Sequence, residues 1–256
     1  MKTSITFLTT LLTIVTCSSF GQLKEERPVG QFTEIEVLGI GDVILSTGNL
    51  KVEVEAPEKD IKKIKSEVNK GKLMITQSKN ANVKNVTLYI TAPDITSIKL
   101  SGVATVTSKD TLVCDNLKLD VAGAGGIDLT IKCNNLETKI MGAGNVELSG
   151  VAIVHKVDVI GAGDLMAFDL VTQVTNAKVS GAGDIQINAT EEVNVRVSGA
   201  GDVFLQGEPE KKNIEVAGAG DFYSYESDSL NSDTTKLKFR GNKFWIITDE
   251  DNWDWK

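Results

Sequence analysis

The sequence predicts an all-β chain wound as a right-handed, single-chain parallel β-helix, with coils of about 19 residues and one short amphipathic helix near its N-terminal end. Two observations carry this. The first is a phrase that returns six times: Gly123-Ala124-Gly125-Gly126, Gly142-Ala143-Gly144-Asn145, Gly161-Ala162-Gly163-Asp164, Gly181-Ala182-Gly183-Asp184, Gly199-Ala200-Gly201-Asp202 and Gly218-Ala219-Gly220-Asp221. Its first glycines stand 19, 19, 20, 18 and 19 residues apart. A fixed period near twenty marks a solenoid, because so short a unit cannot bury an apolar face until neighbours stack on it. The second is the flanking pattern. Val121, Ile140, Val159, Val179, Val197 and Val216 stand two residues before the first glycine; Ile127, Val146, Leu165, Ile185, Val203 and Phe222 stand four after it. Such alternation among β-branched residues is the mark of a strand with one buried face.

Each unit therefore reads as strand, Gly-Ala-Gly corner, strand and variable return. Glycine is expected at the corner because it tolerates positive φ and lets neighbouring backbones approach closely. Successive copies would pair in parallel with equivalent residues ~4.8 Å apart, and a right-handed path follows from the near-universal hand of parallel crossovers. A β-sandwich also uses short strands and regular turns, but its turns do not repeat one tetrapeptide in constant phase.

In chain order, residues 1–21 read as a secretory signal: Lys2, a short apolar stretch over 5–15, and a Ser19-Phe20-Gly21 cleavage site before Gln22. The apolar stretch is too short to span a bilayer. Cys17, after Ile14-Val15-Thr16, loosely resembles a lipobox, so lipid anchoring there is the alternative to a soluble exported chain. Residues 22–245 read as one β-helix domain and 246–256 as an acidic tail or cap containing Trp253 and Trp255. Within the domain, Ile35, Val37, Gly39, Gly41, Val43 and Leu45 carry an early copy of the phrase, and Gly102-Val103-Ala104 is a decayed one. Residues 58–68 place Ile61, Ile64 and Val68 at helical spacing among charges and are expected as a helix capping or crossing the first coils. Residues 72–77 and 83–91 read as strands, and Leu237, Phe239, Gly241 and Trp245 as a last degenerate coil.

The run of Val-x-Gly-Ala-Gly-Asp phrases behind a leader resembles the head GIN domain family of auto-transporter adhesins, over about residues 30–245. The resemblance implies a right-handed β-helix in the envelope of a Gram-negative cell.

The aspartates that follow the corner are the first candidates for chemistry. Asp164, Asp184, Asp202 and Asp221 share one phase, which stacking would turn into a row of carboxylates. Neighbouring charges so spaced repel by only about 1 kcal/mol in water, so the row needs no cation to persist. One reading has each side chain accept N–H groups of its own turn, as Asn145 at the same phase also would. The other has adjacent carboxylates and turn carbonyls hold calcium, the one cofactor considered, which needs six to eight oxygens. Cys114 and Cys133 lie nine residues before their respective glycines, so adjacent coils would superpose them within reach of a disulfide. His155, the single histidine, rules out a two-histidine metal site and is expected as a partly buried residue at a strand end.

A net charge of −8 argues against nucleic acid or anionic lipid as partner, and an aromatic content of 5% argues against a sugar-stacking groove along the whole surface. A catalytic pair needs two carboxylates in unlike environments, whereas every coil offers the same residue. The expectation is an exported, non-enzymatic module for adhesion, interaction or structure, in the periplasm, on the outer-membrane surface or outside the cell. Its partner would be an envelope protein or a glycan, and the membrane itself only through lipid on Cys17. A polysaccharide-active enzyme and a calcium-stabilised surface binding protein are the alternatives.

Overall fold

The structure, a computed structural model, describes residues 21–39, 41–78, 83, 85–227, 234–240 and 243–247. The expected signal up to Phe20, with Cys17, and the tryptophans of the tail lie outside the described residues. Strands dominate, at 67%: β1 (Gln22–Glu26), β2 (Glu34–Gly39), β3 (Asp42–Thr47), β4 (Lys51–Pro57), then one helical turn, α1 (Glu58–Ile61), β5 (Ile64–Asn69), β6 (Lys72–Gln77), β7 (Thr87–Ala92), β8 (Ser97–Gly102) and β9 (Thr105–Ser108). Then come β10 (Leu112–Val121), β11 (Gly126–Ile140), β12 (Asn145–Val159), β13 (Leu165–Val179), β14 (Ile185–Val197), β15 (Val203–Gln206), β16 (Lys211–Val216), β17 (Phe222–Ser227), β18 (Thr234–Arg240) and β19 (Lys243–Ile247).

From β10 to β17 the chain is the expected β-solenoid, and the whole array makes about seven turns. Each copy pairs in parallel with the next, so that Val121, Ile140, Val159, Val179, Val197 and Val216 form one row. The first five are fully buried and Val216, near the end of the array, is partly so. After the corner, Ile127, Val146, Leu165, Ile185, Val203 and Phe222 form a second buried row.

The return segment, which the sequence left variable, is strand as well. In β11 the inward positions run Ile127, Leu129, Ile131 and Cys133, then shift phase to Leu136, Thr138 and Ile140. Asn134 and Asn135 both face solvent at that shift. Two consecutive outward residues bend a strand without a turn, because side chains otherwise alternate faces.

The corner glycines carry a correction. None from Gly123 to Gly220, apart from Gly150 and Gly207 outside the corners, has a positive φ. What excludes a side chain is the coil beneath. A Cβ on Gly142 would stand less than 3 Å from the Gly123 carbonyl oxygen, and Gly161, Gly181, Gly199 and Gly218 meet the equivalent oxygen below them. The alanine between the glycines instead points to solvent. Its N–H donates to the first glycine of the preceding coil, as from Ala162 to Gly142 at 2.9 Å.

The N-terminal part is woven differently. β2 and β3 lie in parallel between β6 and β8 and between β7 and β9, while β4 runs antiparallel to both β1 and β7. The helix expected over 58–68 is a single turn, α1; Ile64 and Val68 belong to β5, which forms an antiparallel hairpin with β6. Lys70 and Gly71, with φ of 51° and 79°, form its tip. Positive φ at both central residues matches the twist of two antiparallel strands, and this outweighs a helical spacing that rests on three apolar residues. At the other end, β18 folds back antiparallel on β17 and β19 antiparallel on β18, in place of the expected last coil. No Gly-Ala-Gly corner follows Asp221 to carry the chain into another coil.

Candidate functional site

The aspartate row exists, and its bonding runs between coils. Asp184 donates its backbone N–H to Asp164 Oδ1 at 2.9 Å, Asp202 to Asp184 Oδ1 at 2.7 Å, and Asp221 to Asp202 Oδ1 at 2.7 Å. Asn145 Oδ1 accepts more weakly from Asp164, at 3.4 Å. The expectation that each side chain serves its own turn is thus corrected: Asn145, Asp164, Asp184 and Asp202 each serve the same position one coil later. Where the phase is occupied by Gly126, its N–H reaches a main-chain carbonyl instead, that of Ala104 at 3.1 Å. A carboxylate or amide oxygen completes the rung that the corner geometry would otherwise leave open. Among the described residues, no three His, Cys, Asp or Glu side chains gather as a group able to hold a metal ion.

His155 lies within β12, in register between Leu136 and Thr175, and is 1% exposed rather than partly buried at a strand end. Its Nε2 is 3.0 Å from Thr138 Oγ1. Thr172 and Thr175 continue this polar seam: their hydroxyls are 2.6 Å apart and Thr172 Oγ1 donates to the Asn188 carbonyl at 2.7 Å. Burial pushes the His155 pKa down from 6.5 to about 3, so the ring is neutral in the fold. Leu117, Leu136 and Val193 at the same phase were the signal that it would be inside, although Thr175 stands between it and Val193.

Cys114 and Cys133 are register partners on β10 and β11, as their phase predicts, and both are free thiols here. They border a shallow groove of about 730 Å³ whose outward side chains Val113, Val151, Ile153 and Val171 are all exposed apolar residues.

Between the Cys-side bend and the Gly-Ala-Gly corner two outward rows are polar, while Met141 and Ile160 stand exposed beside the corner itself. One outward row reads Lys118, Glu137, Lys156, Asn176, Asn194 and Asn213; the next reads Asp120, Lys139, Asp158, Lys178, Arg196 and Glu215. The amides stack head to tail, Asn213 Nδ2 donating to Asn194 Oδ1 at 2.7 Å and Asn194 Nδ2 to Asn176 Oδ1 at 2.9 Å. Charges pair loosely along the rows, with Arg196 3.2 Å from Glu215 and Lys118 3.8 Å from Glu137. A cleft of about 580 Å³ runs over Lys156, Asn176, Lys178, Asn194 and Arg196. This face was missed because the three asparagines do not share a motif; only their common phase in successive coils marks them.

Coils of about 19 residues stacked in parallel along a glycine edge make this a β-solenoid repeat protein by class. More narrowly, the chain belongs to the head GIN domain family, described as "putative auto-transporter adhesin", whose model matches residues 31–209. A putative adhesin from Bacteroides fragilis is 27% identical, with a TM-score of 0.76 over 79% of this chain and 96% of that one. A putative lipid binding protein and a putative adhesin from Parabacteroides distasonis share the fold at 16% and 20% identity. Their TM-scores are 0.66 and 0.64, over 80% and 78% of this chain and 97% and 94% of theirs. No curated protein matches the chain.

Proposed function

We propose that this chain is an exported, non-enzymatic adhesion module of the cell envelope, and that its polar sheet face binds a hydroxyl-rich glycan. The observation that carries the reading is the in-register run of Asn176, Asn194 and Asn213 beside Lys156, Lys178 and Arg196. An amide both donates and accepts, and so meets a hydroxyl in either sense, while cations at the next phase add donors alone. Repeating the amide over three successive coils, ~4.8 Å apart, suits a repeating polymer better than one small molecule. The family description and the Bacteroides fragilis adhesin support the envelope setting.

The test is binding of the purified protein to immobilised cell-surface polysaccharides, with purified envelope proteins as a second arm. Replacing Asn194 and Arg196 by alanine together should weaken glycan capture at least tenfold while leaving the melting temperature near that of the parent. Equal capture by parent and variant would remove this face from the function. Release of shortened oligosaccharide would convert the reading to an enzyme.

A further inference from the structure

We propose that Cys114 and Cys133 form an inter-coil disulfide that pins the open edge of the regular array. β10 is the first strand of that array, and it is covered unevenly. β8 pairs with it only over Lys118–Val121, and β9 pairs with β11 instead. Among the described residues, Leu112 to Asn116 therefore has a strand neighbour on one side only, β11. An unpaired strand edge frays and offers itself to other chains unless it is covered or tied. The cysteines lie on that segment.

Geometry favours a bond at this rung. The two residues face each other directly in a parallel pair, where Cα atoms are ~4.8 Å apart, inside the usual disulfide range of about 4.4–6.8 Å. Both side chains turn toward the core; Cys133 is 6% exposed and Cys114 packs against the same cluster while remaining partly open to solvent. The next two rungs are already tied by side chains: Asn134 Nδ2 donates to Asp115 Oδ1 at 2.8 Å and Asn135 Nδ2 to Asn116 Oδ1 at 3.1 Å. Register slip, which would separate the sulfurs, is thus opposed on both sides of the bend.

The chemistry divides between an outer and an inner thiol. Cys114 is the partly exposed thiol and Cys133 the buried one, so Cys114 meets an oxidant first, and hydrogen bonding from Cys133 favours its thiolate. Its sulfur attacks the disulfide of an oxidant, either oxidised glutathione or a thiol–disulfide oxidoreductase, and one oxidant sulfur leaves as thiol. Cys133 then gives up its proton and attacks Cys114 Sγ in the mixed disulfide, and the second oxidant sulfur leaves. Two electrons and two protons pass to the oxidant, and one S–S bond remains in the chain. The leader read in residues 1–21 predicts delivery to a compartment where such oxidants act.

The experiment uses the full chain, incubated with oxidised glutathione, unfolded in an alkylating agent without reductant, and peptide-mapped by mass spectrometry. The expected product is a Cys114–Cys133 linked peptide. The oxidised protein should melt about 5 °C above the dithiothreitol-treated protein, and amide exchange over residues 112–117 should slow on oxidation. Cys114→Ser should abolish the response to reductant. Alkylation of both cysteines after oxidation, or a cross-link to Cys17 in their place, overturns the assignment. A bond that forms without slowing exchange at the edge overturns the pinning role.

Discussion

Replacing one corner glycine by alanine isolates the physical reason for the repeat. In Gly161→Ala the new Cβ lies less than 3 Å from the Gly142 carbonyl oxygen, where ordinary contact needs about 3.5 Å. That oxygen also accepts the Ala162 N–H at 2.9 Å, so the coils must part at the rung that joins them. Leaving a backbone pair poorly bonded costs about 1–3 kcal/mol, and disturbed packing of the buried Val159 and Val179 beside it adds to this. A total of about 2–4 kcal/mol corresponds to a fall of roughly 5–15 °C in a chain of this size. Gly126→Ala is the control: its Cβ would meet nothing closer than the Asn145 carbonyl oxygen at 3.6 Å. That variant should melt at or slightly above the parent, since alanine restricts the unfolded chain more than glycine does. Thermal melting followed by circular dichroism, with urea unfolding to convert midpoints to free energies, measures both. If the two variants melt alike, close approach between coils is not what demands glycine.

Three further outcomes follow from the core and the aspartate edge. His155 is neutral in the fold down to about pH 3 but takes a proton near pH 6.5 when unfolded, so the unfolded state binds more protons in between. Stability should therefore be full above pH 6.5 and fall as pH drops, by about 2 kcal/mol at pH 5; His155→Leu should flatten this part of the profile in urea titrations, and an unchanged slope would refute the assignment. Asp184→Asn should keep the bond to the Asp202 N–H, as Asn145 at the same phase bonds the Asp164 N–H, whereas Asp184→Ala should cost about 1 kcal/mol by equilibrium unfolding. Melting curves with millimolar calcium and with chelator should coincide; a rise that grows with calcium concentration would instead assign a cation to Asp164, Asp184, Asp202 and Asp221.

By itself the sequence determined the period, the phase and hence the register of the solenoid. Near-constant spacing of Gly123 through Gly218 places Val121 above Ile140 and Cys114 above Cys133, because stacking similar units aligns equivalent positions. What the tertiary structure decided is everything that depends on a neighbour a full coil away. The corner glycines from Gly123 onward are required by the carbonyl oxygen beneath them and not by their own φ, and Asp164, Asp184 and Asp202 bond the N–H of the following coil and not their own turn. The same holds for the outer face, where Asn176, Asn194 and Asn213 become one ladder only once three coils are stacked. At the ends, where the repeat decays, local pattern lost its partner: Ile64 and Val68 fit a helix or a strand equally, and pairing with β6 chose the strand. Short-range sequence specifies which side of a strand is apolar, but the choice of neighbour rests on backbone hydrogen bonds that form only when the array is assembled.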